Sequence, residues 1–181
     1  MRPAIALAAL LFPLAGLSCR YDPVPQEIID DLGPEQGTPS ALHRPGQPCL
    51  ACHSKYAGAS PPMTFGGTVY TRDADDKVIP AVGVSVFVAD SAGDPRKACT
   101  NNAGNFYLET KDWKEVAFPL TVKAGSRTMR SLIGRDGSCG SCHKAPDPEG
   151  EPDRDPVTGA GHDSAGLVFV QPEDTDDCVG G

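Results

Sequence analysis

Long apolar runs, positive charge and histidine are all scarce in this chain of 181 residues. The one extended apolar run, "AIALAALLFPLAGL", follows Met1-Arg2. It has the length of a signal sequence rather than of a bilayer span, and Pro13 interrupts it. No later stretch is apolar enough to cross a membrane, so the chain reads as exported, periplasmic or cell-surface, held at a membrane only through its N-terminus. Lys and Arg number 16 against 24 Asp and Glu, giving a formal net charge of -8 and a pI near 4.9. That balance excludes nucleic acid and anionic membrane surfaces as partners. The acid clusters "PEDTDD" and "DPEGEPDRDP" read as solvated loops, and "DRDPVTG" lacks the full ligand series of a calcium loop. Only four histidines occur, His43, His53, His143 and His162. If these serve a metal, no Ser/His/Asp set is left for hydrolysis.

Cysteine is plentiful by comparison, with seven residues. Four of them spell the same pattern twice, "CLACH" at 49–53 and "CGSCH" at 139–143. Cys-x-x-Cys-His is the attachment signature of c-type haem. Its two thiols are spaced to form thioethers with the haem vinyl groups, and the next residue is placed to bind the iron. The sequence therefore predicts two covalently bound haem c groups. Cys49, Cys52, Cys139 and Cys142 are the attachment thiols, and His53 and His143 the proximal iron ligands. Two iron atoms with two imidazoles each would use all four histidines, so His43 and His162 are the expected distal ligands. Each could instead be an ordinary surface histidine of a polar loop. Met63 is the alternative distal ligand of the first haem, whereas Met129 is expected to point into the core.

Two other chemistries use paired Cys-x-x-Cys. A structural zinc site would need all four thiols together and gives no role to the adjoining histidines. A redox-active dithiol would need a βαβ context that the sequence does not offer. Of the remaining cysteines, Cys19 closes "GLSC", which resembles a bacterial lipoprotein box, although Leu17 sits one position late. The resemblance implies acylation at Cys19; the alternative is ordinary cleavage nearby. Cys99 and Cys178 are an even remainder, and parity allows one disulfide between them.

The chain divides into a signal peptide at 1–18, a Pro/Gly/acid-rich tether at 19–44 and a first haem segment at 45–64. A β-rich region at 65–133 precedes a second haem segment with a final strand at 134–171, and an acidic tail occupies 172–181. In the β-rich region, short runs such as "TFGGTVYTR", "VGVSVFVAD", "GNFYLET", "FPLTVKAG" and "RTMRSLIG" alternate with turn chemistry, "RDADDK", "SAGDP" and "NNAG". The fold class is mainly β, a small antiparallel sandwich flanked by two loop-rich haem-binding segments. "CLACH…FGGTVY" and "CGSCH…AGLVFV" echo one another, and pairing of those two strands would bring both motifs to one end of the sandwich.

Gly67-x-Val69, Val78-x-Pro80, "GVSVFV" from Gly83 and Thr100-x-x-x-Gly104-x-Phe106-x-Leu108 resemble the carboxypeptidase-regulatory, or transthyretin-like, family across residues 66–132. The resemblance implies a prealbumin-like (Ig-like) sandwich that acts as adaptor or spacer rather than catalyst. The two motifs and their flanks are similar to multihaem c-type cytochromes in general. Together these readings predict an electron carrier, not an enzyme. Its partners would be redox proteins with basic docking patches, other cytochromes among them. The competing expectations are a dihaem enzyme with one open iron, peroxidase- or reductase-like, and a haem-stapled structural or redox-sensing module.

Overall fold

In the computed structural model the described residues are 23–35, 37–55, 57–144, 164–175 and 178. The N-terminal apolar run, Cys19, His162 and most of the acidic tail lie outside them. The chain is mainly β, with antiparallel sheets packed into a small sandwich. Two α-helices precede the sandwich, α1 at Pro23–Leu32 and α2 at Cys49–His53. The strands are β1 (Met63–Thr68), β2 (Tyr70–Arg72), β3 (Val78–Pro80), β4 (Ser85–Ala89), β5 (Pro95–Cys99), β6 (Asn105–Glu109), β7 (Thr121–Ala124) and β8 (Arg127–Thr128).

The largest sheet has the order β5-β4-β7-β8, while β1 pairs with β6 and β2 with β3. In β7, Val122 and Ala124 are buried while Thr121 and Lys123 are exposed, the period of two that a half-buried strand requires. Its partner β4 buries Val86 and Val88 and leaves Phe87 outside, where Lys97 lies over the ring. The buried valines face Phe65, Val69, Phe106 and Leu120 in one continuous core. Each such side chain taken fully from water is worth about 1.5–3 kcal/mol.

Two buried polar contacts lock the layers. Thr100 accepts the Val84 N–H at 2.8 Å and donates to the Ala81 carbonyl at 2.6 Å. Thr68 donates to Asn105 Oδ1 at 2.7 Å across the β1–β6 pair. Cys99, at the end of β5, forms a disulfide with Cys178, with the Cα atoms 5.6 Å apart. Parity of the cysteines is thus met by a bond that joins the tail to the largest sheet.

Several segments differ from the sequence reading. "TFGGTVYTR" divides at Val69, whose N–H bonds to the Gly104 carbonyl beside β6 while its own carbonyl accepts from Ala81 beside β3, so the chain changes sheet there. "RTMRSLIG" gives only the two-residue β8 and a single bridge at Ile133. "GLVFVQP" is no full strand: it touches the sandwich through a parallel bridge, Tyr70 to Phe169, with one backbone bond on each side. The echo between the two motif-and-strand units is nonetheless real, because that bridge joins their strands. The supposed tether contains α1, and its end is docked. Asn101 and Asn105 side chains donate to the Ala41 carbonyl, and Asn105 also donates to that of His43 at 3.0 Å. Side-chain amides from the "NNAGN" turn hold a stretch whose own composition gives it no core to join.

Candidate functional site

Cys49 to His53 form one short helix, α2, packed against β1. Helical spacing puts Cys49, Cys52 and His53 on adjoining faces, and all three border one cleft of about 260 Å³. His43, Pro61 and Met63 border the same cleft. Met63 is the first residue of β1, not a loop residue.

His53 is buried, and its Nδ1 meets the Pro61 carbonyl oxygen at 2.8 Å. A carbonyl oxygen can only accept, so Nδ1 is the donor and, in the neutral ring, Nε2 carries the lone pair. This is the arrangement of metal-binding histidines, whose second nitrogen is oriented by a backbone or carboxylate acceptor. His43 is set the same way, its Nδ1 donating to the Ser40 carbonyl. The two rings lie 5.6 Å apart, tilted by 31°.

The second motif is a single 3₁₀ turn, Cys139–Ser141. The Cys139 carbonyl accepts from both Cys142 and His143, at 3.1 and 2.8 Å. His143 Nδ1 donates to the Gly166 carbonyl at 2.7 Å, again leaving Nε2 as the acceptor. Cys139 and His143 border a second cleft of about 200 Å³, walled by Val69, Val86, Val122 and Val168. Met129 borders it as well. Met129 was expected in a strand with its side chain in the core. It follows β8, packs half-buried against the core as expected and also borders this cleft. Cys142 is exposed, and His162, the expected distal partner, lies outside the described residues.

The two motifs meet. Gly66 N–H bonds to the Gly137 carbonyl at 3.0 Å, and Leu50 N–H reaches Ser138 Oγ at 3.4 Å. A β-carbon on Gly140 would sit 2.5 Å from the Gln47 carbonyl group, so the two segments touch backbone to backbone. On β1, a β-carbon at Gly67 would lie 2.5 Å from Cβ of Cys139, and one at Gly66 would lie 3.6 Å from Cβ of Cys49.

All four motif cysteines are free thiols. Burial pushes Cys49 up to about 11. Burial, reinforced by the neighbouring Cys49 thiol, pushes Cys139 up to about 12, and burial also raises Cys52. A redox dithiol works through a thiolate of lowered pKa, the opposite of this setting. Among the described residues no three Cys, His, Asp or Glu side chains gather into a group that could hold a metal ion. The residues do fit covalent haem, which needs thiols for the vinyl carbons, an imidazole with Nε2 available and apolar walls. Both clefts fall below the roughly 300–1,000 Å³ of typical ligand sites, so a macrocycle would have to extend beyond them.

Sequence reasoning located both motifs and His43, but not the Pro61 and Gly166 carbonyls that orient the rings, nor Phe106, which borders both clefts. Only the Gly66-Gly67 pair left a trace, since glycine inside a strand marks close approach of another group.

No known protein family, curated protein or solved structure matches this chain.

Proposed function

We propose that the chain is an exported two-haem c-type cytochrome that passes single electrons between redox partners. One observation carries the reading: in both Cys-x-x-Cys-His motifs the histidine's Nδ1 is committed to a backbone carbonyl, so that Nε2 is the nitrogen left to bind metal. Covalently attached haem supplies a one-electron iron couple. Cys49 and Cys52 would hold one group, and His53 with His43 would supply the imidazoles for its iron. Cys139, Cys142 and His143 would do the same at the second site, where His162 remains the sequence-based choice of opposite ligand and Met129 is the thioether available in the cleft. Four chain histidines would suffice to close both irons to substrate, which favours a carrier over a peroxidase- or reductase-like enzyme.

The β-sandwich, similar in pattern to the carboxypeptidase-regulatory family, serves as the rigid scaffold. Export and lipid anchoring at Cys19 complete the proposal, and the net charge of -8 suits partners with basic docking patches. The test is carbon monoxide added to the dithionite-reduced holoprotein. The wild type should show no spectral change, and His43→Ala should bind the gas at one of its two haems. Carbon monoxide binding by the wild type would put the enzyme reading ahead.

A further inference from the structure

The outer face of the largest sheet carries a charge opposite to that of the whole chain. Val86 and Val88 of β4 lie in the core, so Ser85, Phe87 and Ala89 point away from it. Directly opposed residues of antiparallel strands share a face. Phe87 pairs with Lys97 of β5 on one side and with Lys123 of β7 on the other, and Lys123 pairs in turn with Thr128 of β8. One row therefore crosses all four strands, with an aromatic ring between two ammonium groups. The ring is 44% exposed, although Lys97 Nζ lies 5.6 Å from its centroid.

The fold covers this face at one end only. Ser85 opposes Cys99, whose disulfide brings Cys178 to that end of the sheet, and Ser85 and Cys178 are both buried. One step along the strands, Phe87, Lys97, Lys123 and Thr128 are exposed. The basic character continues beside them. Between Val116 and Arg135 the chain holds Lys123, Arg127, Arg130 and Arg135 and not one Asp or Glu. All four are exposed, and so is Leu132. Charge on an edge strand keeps it from pairing with other sheets, which accounts for Arg127 of β8. It does not account for Phe87 and Lys123, which stand on the two inner strands.

We propose that this face is a docking site for an acidic protein partner, with Phe87 as its apolar anchor and Lys97 and Lys123 as its charge pair. The two lysines sit two strand spacings apart, about 10 Å. The complementary surface has carboxylates at that separation and an apolar group between them. A second copy of the chain is the poorer occupant, because a symmetric contact through this face would set lysine against lysine. A central aromatic ringed by charge is the form in which a few residues carry most of an interface's energy. The chain then has two docking polarities: this face for an acidic partner and its acid-rich remainder for basic ones. Complementary potentials decide which partner meets which side. None of this depends on what the two clefts hold.

The test uses the full-length holoprotein and, as probe, a polyglutamate peptide carrying one central Phe. Lysine acetylation read by mass spectrometry should show Lys97 and Lys123 protected by the peptide. Lys77, which follows Asp75 and Asp76, and Lys111, which is paired with Glu109, should stay unprotected. Lys97→Glu/Lys123→Glu should weaken binding on the order of tenfold at low salt and less at high salt. Phe87→Ser should weaken it about fivefold at either salt. All three side chains point outward, so the variants should melt with the wild type; if the charge-reversed one does not fold, Lys97→Gln/Lys123→Gln takes its place. Equal protection of all four lysines, or wild-type affinity in the charge-altered variant, would overturn the proposal. So would binding to phosphatidylglycerol vesicles without binding to the peptide, which would make the face a membrane contact. A wild-type dimer in sedimentation that Phe87→Ser splits would overturn it in favour of a second copy.

Discussion

The two attachment segments share one spacing and are built by different means. The first draws its ligands and their acceptor from nearby sequence, α2, His43 ten residues before its end and Pro61 eight residues after it, while Asn105, Phe106 and Tyr107 of β6 wall it. The second is borrowed. Its 3₁₀ turn and the residues just after it contribute Cys139 and His143, whereas its walls come from β4, β7 and the 167–169 segment, and the carbonyl that orients its histidine is 23 residues away. Damage to the largest sheet should therefore reach the second site, walled by β4 and β7, before the first, which leans on β6.

The largest expected effect is loss of a whole cofactor. Cys49→Ala/Cys52→Ala and Cys139→Ala/Cys142→Ala should each halve the haem per chain, measured by alkaline pyridine absorbance. The contrast lies in what remains: the first variant should keep the second site's spectrum, since the sandwich is untouched. A variant in either motif that abolished both haems would show that the two segments are attached only as a unit.

Removing the disulfide comes next. Closing a loop of 79 residues restricts the unfolded chain enough to be worth about 4 kcal/mol, so Cys99→Ser/Cys178→Ser should melt on the order of 10 °C lower. Haem content should be unchanged, and on heating the second site's visible spectrum should change before that of the first. Simultaneous loss would end the distinction between a local and a borrowed site.

The ligand opposite His143 sharpens the comparison further. If His162 binds the second iron, His162→Ala should turn that site high-spin, and Met129→Ala should be silent. If the thioether binds, Met129→Ala should abolish a sulfur-to-iron band in the red, and the second site's potential should sit above that of the first. At the first site Met63→Ala should change little, because His43 already faces His53.

Much of this was legible because it is local. Cys-x-x-Cys-His is complete within five residues, and a scarce residue type such as histidine can be counted. Turn chemistry at "NNAG" and alternation in "LTVKA" marked strands whose backbone needs are met nearby. What escaped was set by partners distant in sequence. Met129 borders the second cleft because β8 stops after two residues, and Phe106 became a shared wall only through its register with Gly67. The docking of Ala41 and His43 depends on amides some sixty residues later. No periodicity within 19–44 could reveal that.

Smaller effects test the scaffold itself. Thr100→Val leaves the Val84 N–H and the Ala81 carbonyl buried without their shared partner, a cost of about 1–3 kcal/mol by chemical denaturation. Asp90 borders neither cleft. The Asp94 N–H foremost, with those of Ala117 and Ala92, holds its carboxyl below the usual range. Because the folded value lies below the unfolded one of about 3.9, its stabilisation is present above that pH. It is lost as pH falls through the folded value. Asp90→Asn should therefore be less stable than wild type at neutral pH, converge with it in acid, and leave both haem spectra unmoved.

The most direct test of the central claim is the intact mass of the mature protein, denatured, from a host that performs c-type haem maturation. The account predicts the chain plus two haem groups that denaturation does not remove, one traced by peptide mapping to Cys49 and Cys52 and the other to Cys139 and Cys142. A mass equal to the bare chain, with zinc in the native protein or with those four cysteines joined to one another, would contradict it.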